Sequence, residues 1–334
     1  MARILIVGGA GYVGGWLTDC AMAEGHEVRV YDLLLYERSY LKPVAFVNGD
    51  ILDRPSLVPH LEWADVVVWL AALVGDGACA FDAALTWKIN VDSVGWLASV
   101  YDGRIVFMST CSVYGAQDGV LTEDSPINPL SDYARSKLEA EALLASKDAV
   151  IFRLGTLYGV GDTYSRLRLD LVVNVLTLKA LLNRRMSVFG GAQYRPLLHV
   201  RDVAGAVLRA VETGERGIFN LHAENCTIHE VARAVQRQVP DASIETTGTR
   251  FQDSRNYRVS SVRAAERLGF DPAYDVDFGI SQVRELVEER RIIDLTDAHF
   301  SNVESLQPYL RPDVSPLGRE IHIPHQLSRH RSFT

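Results

Sequence analysis

The sequence predicts an α/β fold in which helices cover both faces of a parallel, doubly wound sheet. Short β-branched apolar runs alternate with helical patterns through the first half of the chain, which is the pattern of consecutive βαβ units. A glycine-rich turn follows the first apolar run. Hydrophobic residues make up 48% of the 334 residues and charged residues 23%, as in an ordinary globular domain.

Six apolar runs predict the strands of this sheet, and the segments between most of them have helical periodicity. The predicted strands are Arg3–Val7, Glu27–Tyr31, Ala45–Asn48, Asp65–Leu70, Ile105–Ser109 and Val150–Leu154. The predicted helices among them include Tyr12–Glu24, Ala83–Tyr101 and Tyr133–Ser146. Because parallel strands need crossover connections, we expect right-handed ones.

The regular alternation of strands and helices ends after the sixth predicted strand. On this basis we predict three parts of the chain. Residues 1–165 form the sheet domain, to which some later segments return. Residues 166–306 form a smaller, mixed α/β domain that holds the substrate. Residues 307–334 contain four prolines and lack periodicity, so we expect an extended arm or a tail.

Composition excludes several classes of protein. The net charge of −8 argues against a general nucleic-acid binder, which needs a basic face. The four cysteines form no Cys-x-x-Cys pair, so we expect reduced thiols in a cytoplasmic protein. No signal peptide and no apolar run long enough for a membrane span is apparent, and we expect no metal site.

The turn after the first strand has the spacing Gly8-x-x-Gly11-x-x-Gly14, with Tyr12 and Val13 inside it. Its glycines suit a tight turn, close approach of a pyrophosphate and close packing of helix on sheet. The free N–H groups at the helix start would then face the phosphates. The position of this turn predicts a Rossmann-type dinucleotide site.

Asp32 ends the second strand, about 20 residues beyond the turn, where a carboxylate accepts hydrogen bonds from the adenosine ribose. Because a carboxylate there repels a 2′-phosphate, the sequence favours NAD over NADP. The alternative is that Asp32 only caps the strand end. Asp50 and Ile51 follow the third strand and are predicted to contact the adenine, although Asp50 is equally consistent with an ordinary loop acid.

Tyr133 and Lys137 lie four residues apart in a predicted helix, so both occupy one helix face. A free tyrosine has a pKa of about 10, and a nearby ammonium lowers it. Such a pair moves a proton to or from a substrate hydroxyl while a hydride moves to or from the nicotinamide. The spacing alone also fits a surface Tyr and Lys, but Ser109 and Thr110 end the fifth strand, where side chains face the ligand crevice.

Taken together, these motifs resemble the extended short-chain dehydrogenase/reductase family in its NAD-dependent epimerase/dehydratase branch. The resemblance covers residues 2–289. It rests on the glycine turn, Asp32, Leu70-Ala71-Ala72, Asn90, Ser109-Thr110, Val113-Tyr114-Gly115, Glu123, Pro126, Pro129, Tyr133-x-x-Ser136-Lys137, Arg153, Arg195 and His199-Val200-x-Asp202.

The resemblance implies that Thr110, Tyr133 and Lys137 are catalytic and that Lys137 also holds the nicotinamide ribose. It implies a nucleotide-sugar substrate, hydride chemistry at C4 of the sugar, and homodimers formed by the helices after Asp82 and Asp132. The implied cofactor contacts include Leu70, Ala71, Ala72, Asn90 and Ser109, and the implied substrate contacts are Thr110, Cys111, Ser112, Asn174, Arg195 and Arg250. Arg255 is an alternative to Arg250, because either guanidinium suits a diphosphate.

Two departures from the family narrow the expected reaction. The 4,6-dehydratases carry Asp-Glu directly after the catalytic Thr, because elimination of water needs an acid and a base. Cys111 and Ser112 stand there instead, so we expect no dehydration; Cys111 is either an acid or base in epimerisation or a packed thiol. Gly155-Thr156 replaces the Phe-Asn of the UDP-galactose 4-epimerases, which indicates a different substrate pocket.

The leading hypothesis is therefore an enzyme acting at C4 of a nucleotide-linked sugar, either a 4-epimerase or a 4-dehydrogenase or 4-ketoreductase. One alternative is a reductase of a non-sugar carbonyl, against which Arg195 and Arg250 argue. Another is an NAD-binding redox sensor without turnover. Such a sensor would not need Thr110, Tyr133 and Lys137 together.

Overall fold

The computed structural model describes residues 1–37, 40–162, 166–247, 255–292 and 294–306. These residues form fourteen strands, in the order β1 (Arg3–Val7), β2 (Glu27–Asp32), β3 (Ala45–Asn48), β4 (Val66–Trp69), β5 (Arg104–Thr110), β6 (Ala116–Leu121), β7 (Ala149–Leu154), β8 (Thr156–Tyr158), β9 (Arg185–Phe189), β10 (Tyr194–His199), β11 (Gly217–Leu221), β12 (Glu224–Thr227), β13 (Ser243–Thr247) and β14 (Asn256–Val259).

The α-helices of the described residues are α1 (Gly14–Ala23), α2 (Arg54–Trp63), α3 (Asp76–Cys79), α4 (Ala83–Trp87), α5 (Ser93–Val100), α6 (Asp132–Leu144), α7 (Val172–Asn183), α8 (Val200–Glu212), α9 (Ile228–Gln238), α10 (Val262–Leu268), α11 (Val276–Glu288) and α12 (Asn302–Leu306). None of them is long and apolar enough to cross a membrane.

Seven strands form the central sheet in the order β11-β7-β5-β4-β1-β2-β3, and every neighbouring pair runs parallel. The predicted doubly wound parallel sheet is thus confirmed, and each of the six predicted strands matches an observed one to within one residue at either end. The seventh strand, β11, comes from the later part of the chain and extends the sheet beyond β7. All carboxyl ends of these strands meet at one edge, which is where a ligand crevice forms.

Successive side chains of the buried strands point to opposite faces of the sheet, and an apolar core lies on each face. On β1, Ile4 and Ile6 pack with α1, α8 and α10, while Leu5 and Val7 pack with α2, α5 and α6. Successive side chains of a strand point to opposite faces, so a strand covered on both sides must be apolar throughout. This is why the first strand is a continuous apolar run.

Three small sheets, with the strand orders β12-β10-β8, β13-β9 and β14-β6, lie beside the central one. Helices α7, α9 and α11 share a separate apolar cluster with β9 and β10. We retain the boundaries at residues 165 and 306 as a proposed division of the chain. The predicted arm, residues 307–334, lies outside the described residues.

The segment predicted as one helix from Ala83 to Tyr101 contains a π-helical turn, Lys88–Asp92, between α4 and α5. A π-turn inserts an extra residue into the helix and is often found at functional sites. The central residue of this turn is Asn90, which is buried.

Candidate active site

A cavity of about 680 Å³ opens at the carboxyl ends of the central strands. The residues that end or follow β1, β2, β4, β5 and β7 form one wall, and the segment before α7 forms another. Of the residues predicted from the sequence, its lining includes Gly8, Gly11, Tyr12, Val13, Gly14, Asp32, Asp50, Ile51, Leu70, Ala71, Ala72, Ser109, Thr110, Ser112, Tyr133, Lys137 and Arg195.

The glycine-rich turn leaves no room for side chains at two of its three glycines. Gly8 has φ +84°, and a Cβ there would lie 2.5 Å from the Ala71 nitrogen. A Cβ on Gly14 would lie 2.4 Å from the Gly9 carbonyl oxygen, so α1 could not pack so closely on the turn. At Gly11 a Cβ would meet only the Gly8 oxygen, at 3.2 Å, and would otherwise project into open space. This cradle fits a pyrophosphate at the start of α1, whose first turn has no side-chain cap.

Asp32 lies beside this turn, at the end of β2. One carboxylate oxygen accepts a hydrogen bond from the Ala10 backbone N–H at 3.0 Å, and the other accepts one from Leu34 N–H at 2.7 Å. Burial raises the pKa of Asp32, and these two backbone hydrogen bonds oppose that rise. Each carboxylate oxygen can accept more than one hydrogen bond, so Asp32 retains the capacity to bind ribose hydroxyls.

Asn90, in contrast, does not line the cavity. Its amide accepts a hydrogen bond from Leu73 N–H at 2.8 Å and donates to the Leu73 carbonyl at 3.0 Å and to the Ser136 hydroxyl at 3.1 Å. Asn90 therefore joins the loop after β4 to helix α6. The predicted direct contact of Asn90 with the cofactor stays a prediction, since its amide oxygen and nitrogen are already engaged by Leu73 and Ser136.

Thr110, Tyr133 and Lys137 are buried and adjacent, as their spacing predicts. Ser131 caps α6 by accepting the Ala134 N–H at 3.2 Å, which places Tyr133 in the first turn of the helix. The Thr110 hydroxyl lies near enough to the Tyr133 phenol to act on its pKa. The Lys137 ammonium lies 4.8 Å from the centre of the Phe107 ring, and Lys137 also lines the cavity. Strand β5 and helix α6 thus bring the three side chains to one point of the cavity.

The pKa values of this pair are set mainly by burial. Burial raises the pKa of Tyr133, the nearby Cys79 and Asp76 act in the same direction, and the nearby Thr110 hydroxyl opposes them. The sequence predicts the opposite direction, because spacing alone does not reveal how little water reaches the phenol. Burial also lowers the pKa of Lys137 to about 8, so its amine is still mainly protonated at neutral pH.

A buried ion pair supports the strand that carries Thr110. The Arg153 guanidinium contacts the Glu141 carboxylate at 2.6 Å, and the Ser109 hydroxyl donates to the same carboxylate. Ser109 contributes to the cavity wall, but its hydroxyl is committed to Glu141, so any contact with a cofactor comes from its other atoms. Glu141 was not singled out from the sequence; its position four residues after Lys137 on one helix face is the only local signal.

The opposite end of the cavity is rich in arginine. Arg195 is buried at this end, and its guanidinium donates to the Tyr194 carbonyl at 2.8 Å. Arg255 donates to the Ser112 hydroxyl at 2.9 Å and forms an ion pair with Asp76 at 3.2 Å. Of the two alternatives proposed for a second phosphate contact, Arg255 lines the cavity, whereas Arg250 lies outside the described residues.

Two predicted substrate contacts lie elsewhere. The Cys111 thiol is fully buried, donates to the Arg153 carbonyl at 3.1 Å and has its pKa raised by burial, which fits the packed thiol rather than an acid or base. The Asn174 amide accepts the Gly159 N–H at 2.9 Å and donates to the carbonyls of Gly159 and Arg168 at 3.2 and 2.7 Å. Neither residue lines the cavity, and backbone groups already engage their polar atoms.

Several cavity residues have no counterpart in the sequence prediction. Asp76 begins α3 and accepts a hydrogen bond from the Ser131 hydroxyl at 2.7 Å, while Arg166 and Arg168 precede α7. In the sequence, only the Gly-Asp-Gly turn after β4 indicates Asp76, and no pattern indicates the two arginines. Away from the cavity, the ligand atoms of Glu24, His26 and Glu212 lie within 4.8 Å of one another, but two of these three residues are exposed.

Comparison with known proteins agrees with this architecture. Residues 4–221 match the model of the NAD dependent epimerase/dehydratase family. The UDP-glucose 4-epimerase of Rhizobium meliloti (strain 1021) is 30% identical over 314 residues, covering 82% of this chain and 93% of the relative. The UDP-glucuronic acid decarboxylase 1 of Danio rerio is 26% identical over 298 residues, covering 84% and 71%.

Solved structures are similar as well. The structure of MoeE5 in complex with UDP-glucose and NAD superimposes with a TM-score of 0.75 at 25% identity, covering 87% of this chain and all of that one. A further similar structure is that of TunA, an NAD-dependent NDP-hexosamine 5,6-dehydratase. The family match spans well over half of the chain and includes both the glycine-rich turn and the Tyr133–Lys137 pair. The chain therefore belongs to the NAD-dependent epimerase/dehydratase family, and its cofactor is NAD.

Proposed function

We propose that this protein oxidises or reduces C4 of a nucleotide-linked sugar with NAD or NADH and acts as a 4-epimerase or as a 4-dehydrogenase or 4-ketoreductase. The observation that carries the proposal is the grouping of the buried side chains of Thr110, Tyr133 and Lys137 in the same cavity as the glycine-rich turn. Proton-transfer groups and a dinucleotide cradle in one enclosed space are what alcohol oxidation by hydride transfer requires.

In the proposed mechanism, Tyr133 is the acid or base for the hydroxyl at C4. Thr110 holds that oxygen by a hydrogen bond, and the Tyr133 phenol oxygen takes its proton as the alcohol becomes a ketone. Bound NAD supplies the hydride acceptor. Because Lys137 has a pKa of about 8, its positive charge is present at neutral pH and favours the ionised phenol. The reverse proton transfer, from Tyr133 to the ketone oxygen, completes an epimerisation or a reduction.

Arg195 supports a substrate that carries a diphosphate. It is a buried cation at the end of the cavity away from the glycine-rich turn, and Arg255 lies close beside it. Guanidinium groups bind phosphate oxygens in a bidentate manner, whereas a non-sugar carbonyl compound needs no such charge. The UDP-sugars bound in MoeE5 and named for the relatives agree with this assignment.

Dehydration is disfavoured by the groups around the sugar end. Cys111 is a buried thiol and Ser112 is a neutral hydroxyl, so neither supplies the acid or base that follows Thr110 in the 4,6-dehydratases. Asp76 is the carboxylate that acts on the pKa of Tyr133, but Ser131 and Arg255 already engage its two oxygens. The cavity is thus equipped for redox chemistry at C4 rather than for loss of water.

Liquid chromatography with mass spectrometry of the products tests this assignment. The purified protein is incubated with NAD and a panel of nucleotide hexoses and hexuronic acids. We expect an epimer that has unchanged mass but a new retention time, or a 4-keto product formed with NADH. A product that has lost water would show that it is a dehydratase, and one that has lost carbon dioxide would show that it is a decarboxylase; either result would contradict the proposal.

We further propose a homodimer formed through helices α4, α5 and α6. Trp87 and Val100 on the first two helices and Leu143 on the third are exposed apolar side chains. Exposed apolar groups collected on neighbouring helices are typical of interfaces. Light scattering tests this: the protein should have the mass of a dimer, and Trp87→Glu together with Leu143→Glu should yield a monomer. A wild-type monomer at micromolar concentration would contradict it.

A further inference from the structure

Arg166 is a buried arginine whose charge has no counter-ion within hydrogen-bond distance among the described residues. Only 2% of its surface is exposed. One terminal nitrogen donates to the Asn302 side-chain oxygen at 2.7 Å, but Nε and the other terminal nitrogen have no hydrogen-bond partner in the part of the chain that the structure describes. The guanidinium carbon lies 3.4 Å above the centre of the Tyr36 ring, so the ring fixes the plane of the group.

Nearby acids form no ion pair with this guanidinium among the described residues. Glu37 acts on it only through space, Asp170 is engaged in two hydrogen bonds from Arg168, each of 2.8 Å, and Asp32 accepts hydrogen bonds from two backbone N–H groups. Burial lowers the pKa of Arg166 to about 10, which still leaves it charged at neutral pH. A buried cation with two unused donor nitrogens is costly unless an anion binds to it.

The sheet order shows where that anion would lie. Arg166 stacks on Tyr36, in the segment after β2, and Asn302 connects it to the Val74 carbonyl, in the segment after β4, by a hydrogen bond of 2.9 Å. Strand β1 lies between β2 and β4, and the glycine-rich turn follows β1. Arg166 therefore spans the cavity opposite the turn and the start of α1.

We propose that Arg166 binds the pyrophosphate of the cofactor from the side opposite α1, and that Asn302 of α12 holds it there as a strap. The pyrophosphate would thus lie between the N–H groups of α1 and the two free N–H donors of Arg166. The 2′-phosphate of NADP would be another anion for Arg166 to bind, but the Asp32 carboxylate repels a phosphate there. The inference rests on NAD binding alone and does not depend on the sugar reaction.

Calorimetry with fragments of the cofactor tests this site. The variants are Arg166→Met, Arg166→Lys and, as a matched control, Arg209→Met on the exposed face of α8, and the ligands are NAD, ADP, adenosine and 2′-AMP. Losing charged hydrogen bonds should weaken binding of NAD and ADP to Arg166→Met about 10- to 100-fold, and Arg166→Lys should recover part of the loss. Adenosine binding should not change, and Arg209→Met should match the wild type.

Each other outcome overturns the proposal. An equal loss for adenosine would mean that Arg166 only shapes the pocket, and a larger loss for 2′-AMP than for ADP would place it at a 2′-phosphate. Unchanged ADP binding would exclude a phosphate contact altogether. Thermal unfolding without ligand provides the folding check: removing an uncompensated buried charge should leave the apo protein at least as stable. If Arg166→Met does not fold, Arg166→Lys is compared with the wild type on the same ligands.

The strap has its own test. Asn302→Ala should weaken binding of NAD and ADP in the same pattern but by a smaller factor, because Arg166 stays stacked on Tyr36. If Asn302→Ala left ADP binding unchanged while Arg166→Met weakened it, the phosphate contact would stand and the strap would be rejected. Both results are obtained without any sugar substrate, so a failure of the proposed C4 chemistry would leave them unaffected.

Discussion

Thr110 and Tyr133 lie near each other in the cavity, although the first ends β5 and the second lies in the first turn of α6. The Thr110 hydroxyl is near enough to the Tyr133 phenol to oppose the rise of its pKa. Two elements that are separated by more than twenty residues thus bring two oxygens together, and the positions of both elements are set by the buried core beneath them.

Tyr133→Phe should remove the proton acceptor and leave the ring in place. Turnover of a nucleotide sugar should fall about 10²- to 10⁴-fold, the usual contribution of general acid–base catalysis, while NAD binding persists. Tyr101→Phe is the matched control, because that buried phenol donates to the Ala64 carbonyl far from the cavity. Steady-state kinetics measure both variants. Full activity in folded Tyr133→Phe would refute the proposed role.

Lys137→Met should change stability in a pH-dependent way. Because burial lowers the Lys137 pKa from 10.5 to about 8, the folded state binds fewer protons than the unfolded state between these values. Below pH 8, burial of the Lys137 charge therefore lowers the free energy of unfolding of the wild type by its full amount. This destabilisation disappears as the pH rises towards 10.5. The methionine variant should exceed the wild type in stability by up to about 3 kcal/mol at pH 7, and the difference should shrink above pH 8.

Denaturant unfolding of both proteins at pH 7 and pH 9.5, without NAD, measures this difference. The same variant should bind NAD more weakly, since Lys137 is proposed to hold the nicotinamide ribose. A variant less stable than the wild type at pH 7, or a difference that grows with pH, would contradict the burial-driven shift of the Lys137 pKa.

Asp32→Ala should weaken NAD binding by about 1.5–3 kcal/mol, the value for a hydrogen bond to a charged group. It should also reduce the preference for NAD over NADP, because the carboxylate that repels a 2′-phosphate is gone. Titration of both cofactors into both proteins checks this. Exposed Asp53, which caps α2, is a suitable control position. If the wild type bound NADP as tightly as NAD, the assignment of Asp32 would be wrong.

Gly11→Ala and Gly14→Ala should behave differently. A Cβ at Gly14 collides with the Gly9 backbone, so the fold should lose about 1–3 kcal/mol or more. A Cβ at Gly11 would meet only the Gly8 oxygen, and Gly11 lines the cavity, so the fold should survive while NAD binding weakens. Thermal unfolding and NAD titration separate the two effects. Equal loss of stability in both variants would contradict the proposed cradle.

The sequence predicts the fold and the chemical centre because both depend on local spacing. Apolar runs determine the strands, the glycine spacing determines the turn, and the four-residue spacing from Tyr133 to Lys137 places them on one helix face. Each of these signals lies within a few residues of chain, and tertiary packing leaves it intact.

Other parts of the site depend on contacts between distant segments, and the sequence prediction misses them. Asn90 is directed inward by a π-turn that no periodicity predicts, and Asn174 is held by the backbone of Gly159. The direction of the Tyr133 pKa follows from burial by several elements. Arg166 acquires its place from Tyr36 and Asn302, which lie 130 and 136 residues away along the chain.

Transfer of a C4 label tests the central claim most directly. The protein, with NAD bound and in excess, is mixed with a nucleotide hexose that carries deuterium at C4, quenched in acid, and the released cofactor is weighed by mass spectrometry. The account predicts deuterium in a fraction of the reduced cofactor, and much less of it in Tyr133→Phe. Product formed with no deuterium in the reduced cofactor at any quench time, or deuterium that passes into water without entering the cofactor, would contradict oxidation at C4.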